Sequence, residues 1–110
     1  MPDEEMSRRA LSMLGIAQKA GKVESGTFLT EKAVRAGRAF LVVFAEEAVS
    51  GTAERLRGKC DHHRVPYVFC GTKAGLGKAI GKQERTCAAV TDRGLAVQIR
   101  MLLGSGKKEE

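Results

Sequence analysis

Seven consecutive residues, Ala39-Phe40-Leu41-Val42-Val43-Phe44-Ala45, carry no polar side chain. A strand with one wet face alternates apolar and polar residues; an unbroken apolar run bounded by turn residues is a strand covered on both sides. Gly37 precedes this run and two glutamates, Glu46 and Glu47, follow it. The run therefore sets a central strand with helices above and below.

The flanking segments supply those helices. Ser7 to Ala20 repeats apolar residues at helical spacing (Ala10, Leu11, Leu14, Ala17) and meets Gly21. Lys22 to Ser25 is a short extended piece. Gly26 or Thr27 caps a second helix that ends at Gly37. Ser50 to Thr52 opens a third, with Ala53, Leu56 and Cys60 inward. Val65 to Cys70 predicts a further buried strand, Gly75 to Ile80 a short helix and Thr86 to Thr91 a strand. Asp92 caps a last helix bearing Leu95, Ala96, Ile99, Leu102 and Leu103. Strands alternating with helices define an α/β layered domain. The 110 residues suit one domain, 7–103, between flexible tails at 1–6 and 104–110.

Net charge is +6, which favours anionic partners. The longest apolar run, at about seven residues, is far short of a membrane span. The N-terminus is acidic and lacks the apolar core of a signal peptide. Three cysteines leave one unpaired under any disulfide scheme. These features predict a cytoplasmic chain with no membrane partner.

From Cys70 to Arg85 the chain holds four glycines (Gly71, Gly75, Gly77, Gly81) and four cations (Lys73, Lys78, Lys82, Arg85) against one anion, Glu84. Glycine turns, a helix start and positive charge suit a phosphate-rich ligand. The same glycines also serve turns and close helix packing. No register fits Gly-x-x-x-x-Gly-Lys-Ser/Thr, and Gln83 replaces its hydroxyl; Gly-x-Gly-x-x-Gly fails because Ile80 stands at the last position. A nucleotide cofactor is not expected. Cys60, His62, His63, Cys70 and Cys87 lack the paired spacing of zinc ligands, so neither metal nor cysteine–histidine catalysis is expected. Carboxylates near the glycine segment are reduced to Glu84, which argues against an enzyme and a small-molecule substrate.

On the second helix Phe28, Lys32 and Arg35 share one side. An aromatic ring beside cations suits stacking on unpaired bases and neutralising phosphates. Leu29, Ala33 and Ala36, with Val34 beside them, form the stripe expected to face the core. Phe28 as a core residue among ordinary solvated cations remains the alternative.

These residues, in order, carry a resemblance: Gly26 and Lys32-Ala33-Val34-Arg35-Ala36-Gly37, the apolar strand, Val65-Pro66-Tyr67, and Leu76-Gly77-Lys78-Ala79-Ile80-Gly81. Over roughly residues 7–103 the chain resembles the kink-turn RNA-binding ribosomal protein family, and within it the bacterial ribosomal-protein-like branch. That family includes archaeal and eukaryotic large-subunit ribosomal proteins and core proteins of small nucleolar ribonucleoproteins. The resemblance implies a three-layer α-β-α sandwich around a mixed sheet of about four strands, no catalysis, and a grip on a sharply bent RNA. It implies contacts from the start of the second helix, where Gly26 and Lys32 match the family motif, and from the loop after Gly81; with them, Thr27, Phe28 and Arg35 are expected to contact RNA from the second helix. Lys78 and the following loop, with Lys82, Gln83, Glu84 and Arg85, supply the others. The family pattern Gly-x-Asn-Glu-x-x-Lys keeps Gly26 and Lys32 but places Phe28 and Leu29 where Asn and Glu read sheared G·A pairs. The expected function is therefore non-catalytic binding of structured RNA, kink-turn-like or ribosomal, in the translation machinery. The alternative is a protein-interaction module of the same fold, with Phe28 and Leu29 facing a ribosomal or other protein partner.

Overall fold

A computed structural model describes residues 4–103. Positions 1–3 and 104–110, which include half of the expected N-terminal tail and all of the C-terminal one, lie outside the described residues. The elements run α1 (Glu4–Lys19), β1 (Val23–Ser25), α2 (Thr27–Arg35), β2 (Leu41–Phe44), α3 (Gly51–His62), β3 (Tyr67–Phe69), α4 (Lys73–Ala79), β4 (Cys87–Val90) and α5 (Arg93–Leu102).

The strands form one sheet in the order β1-β4-β2-β3, with β2 parallel to β3 and the other pairs antiparallel. Alternation along β2 builds two cores. Leu41, Val43 and Ala45 join Leu14, Leu76 and Ile99 on one face; Val42 and Phe44 join Val34, Leu56 and Cys60 on the other. The molecule is thus the three-layer sandwich with a mixed four-stranded sheet. Helix α3 supplies the crossover that parallel strands require.

Local chemistry explains most boundaries. Side chains of Ser50, Thr72 and Asp92 each accept from the amide three residues on, at 3.2, 2.9 and 2.9 Å, satisfying a free amide of the first turn. Thr72 moves the start of α4 ahead of the expected Gly75. Helix α1 begins one turn before the expected Ser7, and its first turn holds Glu4 and Glu5, where carboxylates suit the helix dipole. Glu4 to Met6 are therefore helical rather than part of a tail.

Two expectations fail. The strand predicted over Val65 to Cys70 shrinks to the half-buried Tyr67–Phe69 at the sheet edge. Pro66 has no amide to donate, which confines it to an edge; its carbonyl still accepts from Val42 at 3.0 Å. On α2, Leu29 is 43% exposed and Ala36 is also exposed. The buried stripe is Thr30, Ala33 and Val34. The hydroxyl of Thr30 donates to the Glu24 carbonyl at 3.3 Å, so a polar residue takes the core position that the apolar pattern assigned to Leu29.

Candidate nucleic-acid interface

Gly26 sets the entry to α2. It sits at φ 90, ψ 160 as the helix cap, with no side chain to hydrogen-bond the first turn. Its carbonyl accepts from Thr30 at 3.0 Å and its amide donates to the Cys87 carbonyl at 2.9 Å. The amides of Thr27, Phe28 and Leu29 have no hydrogen-bond partner among the described residues. Such a helix start attracts anions. Phe28 follows at 74% exposure. Lys32 is exposed one turn further on, with no ion pair among the described residues.

The α4–β4 loop is fixed beside this helix start. Gly81 (φ 71) turns the chain back, and the Lys82 amide donates to the Gly77 carbonyl at 2.8 Å. The loop then crosses Gly77 so closely that a Cβ there would stand 2.0 Å from the Gln83 carbonyl oxygen. Arg85 ties the loop down. Its Nε donates to Ser25 Oγ at 3.2 Å, its guanidinium also reaches the carbonyls of Gln83 and Glu84, and its amide donates to Lys73 at 3.1 Å. The side chains of Lys82, Gln83 and Glu84 remain exposed.

Gly26, Thr27, Phe28 and Lys32 are thus joined to the loop of Lys82 to Arg85 through the Ser25–Arg85 and Gly26–Cys87 contacts. Arg85 acts as a brace here, a role its sequence context did not disclose. Arg35 closes α2, about 12 Å along the axis from Thr27. It lies 3.9 Å from Glu31, which also meets Arg55 and Lys59 at 3.3 and 4.0 Å. That cluster stands apart from the helix start. Lys78 is exposed on α4, with no contact tying it to α2.

The cysteine thiols take no part in this surface. Burial pushes Cys60 up to about 12, with Asp61 and Cys87 adding to the rise. Burial raises Cys87 to about 11, opposed by a hydrogen bond with Thr30, and raises Cys70, opposed by its bond to Ser7. Thiolate is the reactive form, so native protein at pH 8 should resist iodoacetamide until urea unfolds it. Ionisation is easier in the unfolded chain. These thiols therefore contribute stability below the ordinary value of 9.0 that is lost as pH rises toward 11 or 12. Urea melts across that window should show a shallower decline in Cys60→Val than in the parent. Among the described residues no cluster of three or more His, Cys, Asp or Glu could hold a metal ion, and no helix is long and apolar enough to cross a membrane.

A three-layer sandwich with a glycine-capped helix start beside a basic loop defines a class, and comparison with known proteins identifies it. Residues 8–99 match the ribosomal protein L7Ae/L30e/S12e/Gadd45 family, and the chain belongs to that family. It is 44% identical over 91 residues to the RNA-binding protein YlxQ of Bacillus subtilis (strain 168), covering 83% of this chain and 91% of that protein. The fold superposes on a Bacillus halodurans protein of unknown function with TM-score 0.79 and 33% identity, over 86% of this chain and 96% of the other. It also superposes on the Giardia lamblia 15.5kD RNA binding protein, with TM-score 0.78 and 25% identity, over 96% of this chain and 90% of that one.

Proposed function

We propose that this chain is a non-catalytic RNA-binding protein that grips structured, kink-turn-like or ribosomal RNA of the translation machinery. The contact surface is the start of α2 together with the α4–β4 loop. The carrying observation is the brace between the two segments: Arg85 Nε to Ser25 Oγ at 3.2 Å and Gly26 amide to Cys87 carbonyl at 2.9 Å. It presents the free first-turn amides, Phe28, Lys32 and Lys82 on one rigid end of the sheet. YlxQ and the Giardia protein, both described as RNA-binding, support the choice of RNA over another polyanion.

The roles divide by chemistry. The α2 amides and Lys32 receive phosphate oxygens of one strand. Lys82, Gln83 and Glu84 face the opposite strand or an extruded base. Phe28 stacks on a base, since neither it nor Leu29 can form the hydrogen bonds of an Asn–Glu pair. Arg35 and Lys78 add positive charge at the margins.

Lys32 and Lys82 suit a test better than Arg85, whose removal would also release the loop. The double variant Lys32→Gln, Lys82→Gln should melt like the parent but bind structured RNA more weakly. Its log–log salt slope should be shallower by about two. An unchanged affinity and slope would refute the assignment.

The exposed pair Phe28 and Leu29 also favours a second reading, a protein-binding module. Nuclease treatment separates the two readings. RNA that copurifies and is removed by nuclease supports the first; a nucleic-acid-free protein that self-associates supports the second.

A further inference from the structure

The opposite end of the sheet carries a second concentration of positive charge. A groove of about 240 Å³ opens where the starts of β2 and β3 meet α5, lined by Phe40, Arg64, Pro66, Arg93, Val97 and Arg100 among others. No acidic side chain lines it. None of its three arginines forms an ion pair among the described residues. The Arg93 guanidinium lies 5.1 Å from the centre of the Phe40 ring, close enough for the ring face to hold it.

Arg64 supplies an independent observation. Helices α1, α2, α3 and α4 all close with the same pair of hydrogen bonds. After α3 these are Val65 amide to Cys60 carbonyl at 2.8 Å and Arg64 amide to Asp61 carbonyl at 3.1 Å. This motif puts one residue in the left-handed region, where glycine is at ease. The other three helices use Gly21, Gly37 and Gly81, at φ 74, 77 and 71. After α3 the position is Arg64, at φ 60, and among the described residues it is the only non-glycine with positive φ. A side chain held in an unfavourable backbone conformation at the rim of a basic groove points to a use for that side chain.

We infer that this groove is a second phosphate-binding site, occupied by the backbone of an RNA segment separate from the one at α2. The choice of RNA rests on the function proposed above. Arginine's planar fork matches phosphate oxygens, and Pro66 and Val97 offer apolar surface to the sugars. The stretch from Phe40 through β2 to Phe44 separates the two sites by about 13 Å along the strand direction. One protein can therefore hold two RNA segments at opposite ends of its sheet.

The test is an NMR titration of the full chain with an unstructured uridine decamer, and separately with inorganic phosphate and with a deca-glutamate peptide. The decamer should shift the amides of Phe40, Arg64 and Arg93 to Arg100. Arg64→Gly should weaken that binding at least fivefold while raising the melting temperature by a few degrees, because glycine relaxes the turn. Arg93→Gln should weaken it similarly. Affinity of structured RNA at Gly26 and Lys82 should hold in both. A groove silent to the decamer while Gly26 and Lys82 respond to structured RNA overturns this inference alone. A response to neither RNA at either end overturns the RNA reading itself. Tighter binding of deca-glutamate would make the groove a protein site, and a response to phosphate without the decamer would make it a small-ligand site; either overturns the RNA assignment.

Discussion

Gly77→Ala is expected to destabilise the protein by about 3 kcal/mol, the upper end of ordinary overpacking, and to lower its melting temperature by roughly 15 °C. The added Cβ would stand 2.0 Å from the Gln83 carbonyl oxygen and 2.6 Å from its carbon. Those are backbone atoms, so no rotamer change relieves the overlap. Either α4 shifts away from the core contributed by Leu76, or the loop lifts. Both routes disturb the Arg85 brace, so RNA affinity should fall even at temperatures where the variant remains folded. Gly58→Ala provides the control. Gly58 lies inside α3 with nothing within 4 Å of an added Cβ, and alanine there should stabilise by about 0.5–1 kcal/mol. Thermal melts of the two variants should move in opposite directions. A Gly77→Ala melt within two or three degrees of the parent would refute the close crossing.

Phe28→Ala should do the reverse: leave the fold intact and cost affinity for RNA. At 74% exposure the ring contributes little to the core. In the proposed complex it carries a stacking contact worth about 1–3 kcal/mol, a loss of roughly five- to 150-fold. Because stacking is uncharged, the salt slope should be unchanged, in contrast to the lysine double variant. Parallel binding and melting experiments distinguish the cases. Unaltered affinity would remove Phe28 from the interface, and a lowered melting temperature would return it to a structural role.

The parts of this fold that were legible in the sequence are those with a local cause. The unbroken apolar run read as a doubly covered strand, and β2 is that strand. Ser50 and Asp92 announced helix starts through their own hydrogen bonds. Gly21 and Gly37 announced helix ends through their backbone freedom. Features that depend on contacts between distant segments were hidden. Thr30 is buried with its hydroxyl bonded to the Glu24 carbonyl of a separate strand, and a threonine gives no apolar signal. The edge position of β3 had a local mark in Pro66, which lacks the amide a central strand needs, but the apolar run around it outweighed that mark. In the candidate site, spacing placed Phe28, Lys32 and Arg35 on one side of the second helix, and the family resemblance added Gly26. The brace from Arg85 to Ser25 spans 60 residues and had no sequence mark. The arginine groove draws on three separated segments; its one local clue was an arginine, Arg64, where helix closure favours glycine.

The most direct test of the RNA-binding account is a calorimetric titration of the full chain at two salt concentrations. The ligands are a kink-turn RNA and a matched control lacking the tandem G·A pairs. The account predicts tighter binding to the bent RNA at both salt concentrations, because the brace holds phosphate contacts and the Phe28 ring in a fixed relation. The preference should be smaller than polar readers would give, since each lost base contact costs about 1–3 kcal/mol. Weak binding, equal for the two RNAs and abolished by salt, would contradict it and leave only a positively charged surface.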